Sequence, residues 1–151
     1  MFRRILVPVD YSENSRQSLI FAAKLAAGVG AALDVVHVWD RPAYVSDAVM
    51  VRRPGQEHCS LAELIEDNAQ RDMKEFLATV AFPAGLTVEG RLCSGDPVST
   101  LIAEAKSKQH DLVVIGTHGR TGLAHMLLGS VTEKLIRLSP VPVLTLPPAR
   151  T

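Results

Sequence analysis

Short apolar runs that alternate with helix-like segments are the feature of this 151-residue sequence that most limits how the chain can fold. Five runs have strand character, and four segments between them carry apolar residues at helical spacing. The predicted strands are residues 5–9, 32–39, 86–92, 112–115 and 141–146, and the predicted helices are residues 15–27, 60–80, a segment opened by Asp96 and Pro97, and residues 131–138. This order predicts an α/β fold with a parallel sheet and helices on both faces.

A single doubly wound domain, Rossmann-like and spanning residues 1–151, is the architecture that we expect. Its five strands would take the order 3-2-1-4-5, with two helices on each face of the sheet. In such a sheet the ligand lies beyond the carboxyl ends of the strands, where the strand order reverses. That point falls between the first and fourth strands, whose carboxyl ends here are Asp10 and Gly116.

The segment after the fourth strand contains three glycines, Gly116, Gly119 and Gly129, and Ser130 follows the third. Glycines let a backbone approach a ligand closely, and the N–H groups at a helix start bind anions. The segment therefore suits a phosphate-bearing ligand. Two common phosphate motifs are absent, because no glycine directly follows the first strand as in dinucleotide-binding folds and no Walker A string occurs.

Structural alternatives stay open for some of the same residues. Ser130 and Glu133 have the spacing of a helix-capping box, so Ser130 could cap its helix, bind a ligand or do both. Asp10 and Ser12 are both candidate caps for the first helix, which leaves a purely structural role for Asp10 open.

Composition favours a globular protein without nucleic-acid or membrane partners. Lys plus Arg equals Asp plus Glu at 16 each, and no window approaches the ~20 apolar residues of a membrane span. Cys59 and Cys93 are not at metal-ligand spacing, so we expect free thiols in a reducing compartment. The apolar stretch at the N-terminus is too short for a signal-peptide core, and the expected location is therefore the cytoplasm.

Other candidate ligand residues have structural explanations. His37 lies inside an apolar strand, so we expect it to pack in the core or at its rim. His58 and Cys59 are adjacent but have no partners at ligand spacing, so no metal site is predicted. The loop between Asp40 and Glu57 contains two adjacent arginines, which would be solvated or, alternatively, part of a lid over the ligand.

Four strings spread along the chain are similar to those of one protein family. Gly116, Gly119, Gly129 and Ser130 form Gly-x2-Gly-x9-Gly-Ser without a gap. The other strings are Ile-Leu-Val-Pro-Val-Asp at residues 5–10, Gly-Asp-Pro at 95–97 and Ser-Pro-Val-Pro-Val-Leu at 139–144. Together they resemble the nucleotide-binding branch of the universal stress protein family, and the resemblance covers nearly the whole chain.

The resemblance implies an ATP site, with any Mg²⁺ carried by the nucleotide. The implied adenine-end contacts are Pro8, Val9, Asp10 and Val38, and the implied ribose contacts are Gly116 and Thr117. The implied phosphate contacts are Gly119, Arg120, Gly129, Ser130, Val131 and Thr132. Ser130 and Thr132 would add hydroxyl groups to the backbone N–H groups at the helix start.

A nucleotide-dependent stress-response or signalling module, with little or no hydrolysis and an unknown protein partner, is the function that the resemblance implies. One alternative is a slow ATPase at the same site, with Asp10, His118 or Glu133 as the nearby candidate bases. Another is a partner-binding module with an empty pocket. The family is commonly dimeric, and the last strand, from Val141 to Leu146, would be an exposed edge, so we expect a homodimer through it.

Overall fold

The structure is a computed structural model that describes residues 1–39, 48–52, 55, 58–118 and 128–148. Over these ranges the chain forms four helices and seven strands, two of them only two residues long. In chain order they are β1 (Arg4–Pro8), α1 (Glu13–Val29), β2 (Ala32–Trp39), β3 (Met50–Val51), β4 (Cys59–Ser60), α2 (Leu61–Ala78), β5 (Val88–Ser94), α3 (Pro97–Ser107), β6 (Leu112–Gly116), α4 (Ser130–Leu138) and β7 (Val143–Leu146). None of these helices is long and apolar enough to cross a membrane.

Five strands form one parallel sheet in the order β5-β2-β1-β6-β7, which confirms the predicted order. Successive side chains of a strand point to opposite faces, so β1 contributes to two cores. Val7 packs in one core with Leu19 of α1 and with side chains of α2, whereas Leu6 packs in the other with Leu101 of α3 and Leu135 of α4. Two helices therefore cover each face, as predicted.

Side-chain caps begin three of the four helices. The bonds run from Ser15 N–H to Ser12 Oγ, from Glu63 N–H to Ser60 Oγ and from Ser99 N–H to Asp96 Oδ1. Each cap satisfies one of the N–H groups that the first turn of a helix leaves without an internal partner. The caps fix where the helices start, and those starts of α1 and α3 lie at the carboxyl ends of the strands before them.

Several element boundaries differ from the prediction. The first helix begins at Glu13 because Ser12 is its cap, and it ends at Gly30 with φ +72°, so Gly28 lies inside it and does not stop it. The third sheet strand begins at Val88, since Leu86 N–H is held in a turn by the Pro83 carbonyl.

The last strand begins at Val143, not at Val141 as predicted. The Ser139 hydroxyl donates to the Val141 carbonyl and accepts from the Val141 N–H, which holds that residue in a local turn. The short antiparallel pair of β3 and β4 was not predicted, because β3 lies within the loop that we expected to be irregular.

A buried carboxylate at the amino end of the sheet ties four chain segments together. Asp34 of β2 is 2% exposed and accepts hydrogen bonds from Arg4 Nε at 2.8 Å and Arg91 Nη2 at 3.3 Å. His110, just before β6, lies with Nε2 2.9 Å from Asp34 Oδ2. Arg91 also forms an ion pair of 2.7 Å with Glu104 of α3. This cluster joins β1, β2, β5 and the end of α3 at the edge opposite the predicted site.

The charges around Asp34 decide its protonation. Burial raises the pKa of its carboxyl group, but the hydrogen bonds and charges of Arg4 and His110 outweigh burial and hold the pKa below its ordinary value. A carboxylate with a lowered folded-state pKa stabilises the fold fully above its unfolded pKa of about 3.9. That stabilisation is lost as the pH falls through the folded-state value.

Asp34→Asn is expected to lower the free energy of unfolding at pH 7 by roughly 3 kcal/mol, because it leaves two partly buried arginines without the buried carboxylate that pairs with them. Urea unfolding of both proteins measures the change. The difference between wild type and variant should shrink as the pH falls below about 4, because Asp34 then takes up a proton in the unfolded chain before it does so in the folded protein, where its pKa is lower. Asp72→Asn, at an exposed position of α2, is the control and should change stability by less than about 0.5 kcal/mol. Equal effects of the two substitutions would contradict the account.

Candidate functional site

A crevice lies beyond the carboxyl ends of β1, β2 and β6. β1 and β6 are neighbours in the sheet, but the chain after β1 leads to α1 on one face and the chain after β6 leads to α4 on the other. The two connections separate at this point, which is the strand-order reversal at which doubly wound sheets bind ligands. The crevice is therefore where the sequence predicted a site.

One part of the crevice is apolar. Its wall consists of Pro8, Val9, Val36, Val38, Leu101 and Ile115. Strands β1, β2 and β6 supply four of these residues, Val9 directly follows β1, and α3 supplies Leu101. A wall of this kind suits a flat apolar group such as a nucleotide base, since binding removes apolar surface from water.

The other part of the crevice is the amino-terminal end of α4. Gly129 is the N-cap, in an extended conformation with φ −67° and ψ 147°, and it has no side chain to cap the helix. Glu133 N–H donates to the Gly129 carbonyl and makes the first intrahelical bond. Ser130, Val131 and Thr132 all line the crevice, and their N–H groups lie in the first turn, where the helix offers them no internal acceptor. A helix start of this kind favours an anion.

Ser130 does not cap α4. A capping box requires the serine at the N-cap, but the helix begins one residue earlier than predicted and Ser130 is its first helical residue. The spacing of Ser130 and Glu133 therefore does not form a box. This leaves the Ser130 side chain at the mouth of the crevice with no capping bond.

The Thr132 hydroxyl has a structural partner. Thr132 is 4% exposed, and its Oγ1 donates to the Gly116 carbonyl at 2.8 Å. A threonine hydroxyl has only one proton, so this bond prevents it from donating to a phosphate. The expectation that the Thr132 hydroxyl binds phosphate stays a prediction, and it would require this hydroxyl to leave the Gly116 carbonyl, whereas the Thr132 backbone N–H already lies in the first turn of α4.

Three successive carbonyl groups, beginning at the last residue of β6, are held by the start of α4 and by α1. Thr132 of α4 donates to the Gly116 carbonyl, Gly129 N–H donates to the Thr117 carbonyl at 2.6 Å, and Asn14 Nδ2 of α1 donates to the His118 carbonyl at 2.9 Å. Thr117 N–H also donates to Leu146 of β7. The exit from β6 is thus fixed relative to both helices that border the crevice.

A tight turn shapes the β1 side of the crevice. Asp10 Oδ1 accepts a hydrogen bond from Ser12 N–H at 3.0 Å, so Asp10 organises the turn and Ser12 caps α1. Tyr11 has φ +65°, a left-handed conformation that is uncommon for a residue with a large side chain. Its ring packs on His37 with a centroid distance of 4.2 Å.

His37 lies at the rim of the apolar part, half-buried as expected, and it also lines the crevice. Its Nδ1 lies 2.7 Å from the Val9 carbonyl. A carbonyl can only accept a hydrogen bond, so Nδ1 carries a proton, and in the neutral ring Nε2 is the acceptor. The prediction had not placed His37 among the site residues.

Nine of the twelve predicted site residues line this crevice: Pro8, Val9, Asp10, Val38, Gly116, Gly129, Ser130, Val131 and Thr132. Thr117 is not among the lining residues, and its backbone is bonded to β7 and Gly129. Gly119 and Arg120 lie outside the described residues, so their assignment stays a prediction. The role of the whole set in ligand binding also stays a prediction.

Six residues of the crevice were missed: Ser15, Val36, His37, Pro97, Leu101 and Ile115. His118, named from the sequence as a candidate base near the site, also lines the crevice. A usable signal existed for Pro97 and Leu101, because their i, i+4 spacing places them on one face of a helix that starts at a strand end. In the described ranges, no three His, Cys, Asp or Glu side chains come together as candidate metal ligands.

Comparison with known proteins agrees with the fold and with the family that the sequence resembles. The model of the universal stress protein family matches residues 1–147. The universal stress protein YxiE of Bacillus subtilis is 32% identical over 146 residues, which are 95% of this chain and 98% of that relative. The solved structure of universal stress protein UspA from Lactobacillus plantarum has a TM-score of 0.70 and 27% identity, over 96% of this chain and 97% of that one.

A ligand complex is among the similar solved structures. It is a universal stress protein in complex with cAMP, with a TM-score of 0.62 and 25% identity over 96% of both chains. The family model spans well over half of this chain. The chain therefore belongs to the universal stress protein family.

Proposed function

We propose that this protein is an ATP-binding module, whose nucleotide occupancy is transmitted to a protein partner in a stress response. The observation that carries the proposal is the uncapped start of α4 beside an apolar wall. A nucleotide has the matching two-part chemistry, with a flat base at one end and phosphates at the other.

The phosphate end gains the most from this arrangement. Each charge-assisted hydrogen bond from a first-turn N–H contributes ~1.5–3 kcal/mol, and the α4 dipole adds ~0.3–1 kcal/mol at an exposed position. The cAMP complex of a similar universal stress protein supports a nucleotide as the ligand. The three-glycine spacing of the chain supports ATP in particular, with Mg²⁺ carried by the nucleotide and Gly119 and Arg120 as further phosphate contacts.

Ser130→Pro removes one of the proposed phosphate donors while leaving a helix start that accepts proline. Proline is favoured at the first helical position, and Gly129 already has the extended conformation that a residue before proline requires. ATP affinity measured by calorimetry is expected to fall roughly tenfold to a hundredfold, as the loss of one charge-assisted bond implies.

Ser130→Ala is the matched control, since it removes the hydroxyl group and keeps the N–H. We expect it to weaken ATP binding less than Ser130→Pro does. Both variants should unfold within about 1 kcal/mol of wild type. Wild-type affinity in Ser130→Pro would contradict the phosphate assignment, and the absence of heat with wild type would contradict ATP binding itself.

Little or no hydrolysis is expected at this site. Asp10 Oδ1 already accepts from the Ser12 N–H, and the exposed Glu133 faces Arg137 at 3.8 Å. A base for water needs a clear path to the γ-phosphate. The rate of ADP formation, measured by chromatography, should stay far below the turnover of about 1–100 s⁻¹ that is ordinary for kinases. Turnover in that range, abolished by His118→Ala, would establish the ATPase alternative.

We further propose that the protein is a homodimer through the outer edge of β7. The carbonyls of Pro142 and Leu146 accept from Val113 and Thr117 on the β6 side. Backbone groups alternate along a strand, so Val143 and Thr145 direct theirs outward. Pro142 has no N–H, but its backbone groups face β6. The outer edge therefore loses no donor because of this proline. Exposed apolar side chains border that edge: Ile136, Leu138 and Leu144.

Thr145→Pro tests this interface because it removes an outward N–H and no bond to β6. The wild type is expected to sediment as a dimer, and Thr145→Pro should shift it toward monomer in analytical ultracentrifugation. Thr145→Val keeps the N–H and should remain dimeric. A monomeric wild type at high concentration, or a dimeric Thr145→Pro, would contradict the interface.

A further inference from the structure

Asn14 contacts two residues that line the crevice, Gly116 and His118, and the sequence analysis assigned it no role. It lies in the first turn of α1, and its Nδ2 donates to the His118 carbonyl at 2.9 Å across 104 residues of sequence. Only the amide nitrogen can donate to a carbonyl, so this orientation of the side chain is fixed. Asn14 is thus the contact from α1 to the segment that leaves β6.

Gly116 leaves the space that the Asn14 amide occupies. A Cβ atom at Gly116 would lie 2.5 Å from Asn14 Nδ2 and 2.9 Å from Asn14 Cγ, distances that real Cβ contacts do not show. Gly116 has no positive φ, so its backbone conformation would accept a side chain. The first glycine of the motif is therefore explained by the packing of Asn14, at a point that sequence reasoning assigned to close ligand approach.

The Asn14 side chain is poorly explained by stability alone. Its Oδ1 is buried and makes no hydrogen bond among the described residues. A buried acceptor without a partner costs free energy comparable to what a single neutral hydrogen bond contributes. The stabilisation from the bond to His118 and the cost of the unsatisfied Oδ1 thus nearly cancel in the free energy of folding. The main effect of Asn14 is then to position the segment that leaves β6.

We propose that Asn14 is a positioning residue for the phosphate-binding end of the crevice. Its amide docks in the space above Gly116 and fixes the His118 carbonyl, next to the Thr117 carbonyl that accepts from Gly129 N–H. It thereby sets the N-cap of α4 relative to α1. The effect of Asn14 on ATP affinity rests on the proposed ATP binding. The packing of Asn14 against Gly116 does not depend on that proposal.

A double-substitution cycle tests the packing without any nucleotide. Gly116→Ala should lower the urea midpoint in wild type and lower it clearly less in Asn14→Ala, because truncation of Asn14 removes the two shortest contacts of the added methyl group and leaves only Ser18 Oγ, at 3.1 Å. Gly28→Ala is the control, since a Cβ there meets nothing within 4 Å and should act alike in both backgrounds. An equal loss from Gly116→Ala in both backgrounds would overturn the packing assignment.

Hydrogen exchange and ATP affinity test the positioning. In Asn14→Ala the Gly129 amide should exchange at least about fivefold faster, and ATP should bind about five- to tenfold more weakly, while the urea midpoint stays near wild type. Asn68→Ala, at an exposed position of α2, should change neither quantity. Unchanged exchange at Gly129 in Asn14→Ala overturns the proposal. If wild type binds no ATP, the proposed function fails, and the exchange result still decides the role of Asn14.

Discussion

The site depends on how the chain is held as it leaves β6. Three consecutive carbonyl groups, those of Gly116, Thr117 and His118, accept hydrogen bonds from α4, from Gly129 and from α1 respectively. Buried or partly buried backbone carbonyls need partners, and here the partners come from separate elements. The bonds convert the end of one strand into a junction that fixes two helix starts around one crevice.

This junction explains why the start of α4 can remain without a side-chain cap. Gly129 is held by its own N–H, which donates to Thr117, so the helix start is placed without a capping side chain. The first-turn N–H groups are then left for an anion. At α1 and α3, by contrast, Ser12 and Asp96 satisfy an N–H in the first turn. Among the helices that begin at the carboxyl edge of the sheet, α4 is the one whose N-cap residue has no side chain.

The opposite end of the sheet is held by charge. Asp34 and its basic neighbours join β1 and β2 near their amino ends to the middle of β5 and to the segment before β6. The residues that line the crevice at the carboxyl ends include apolar and glycine residues. Strand anchoring and ligand binding thus lie at opposite edges of the same sheet.

The sequence was sufficient to predict the strand order and the position of the crevice, because both follow from the alternation of apolar strands and helices. It was insufficient for individual side chains. Ser130 appeared to be a possible cap because a one-residue shift of the helix start changes its role. Thr132 and Asn14 bond to carbonyls at Gly116 and His118, and contacts across 16 and 104 residues leave no local pattern in the sequence.

The most direct test of this account is an NMR titration of the backbone amides with ATP. The account predicts that the largest shifts occur at Ser130, Val131 and Thr132, with smaller shifts at Val9 and Val38 on the apolar wall. It would be contradicted if ATP shifted none of the α4 amides. It would also be contradicted if the shifts clustered in the separate groove between α2 and β5, which is lined by residues such as Gln70 and Arg91.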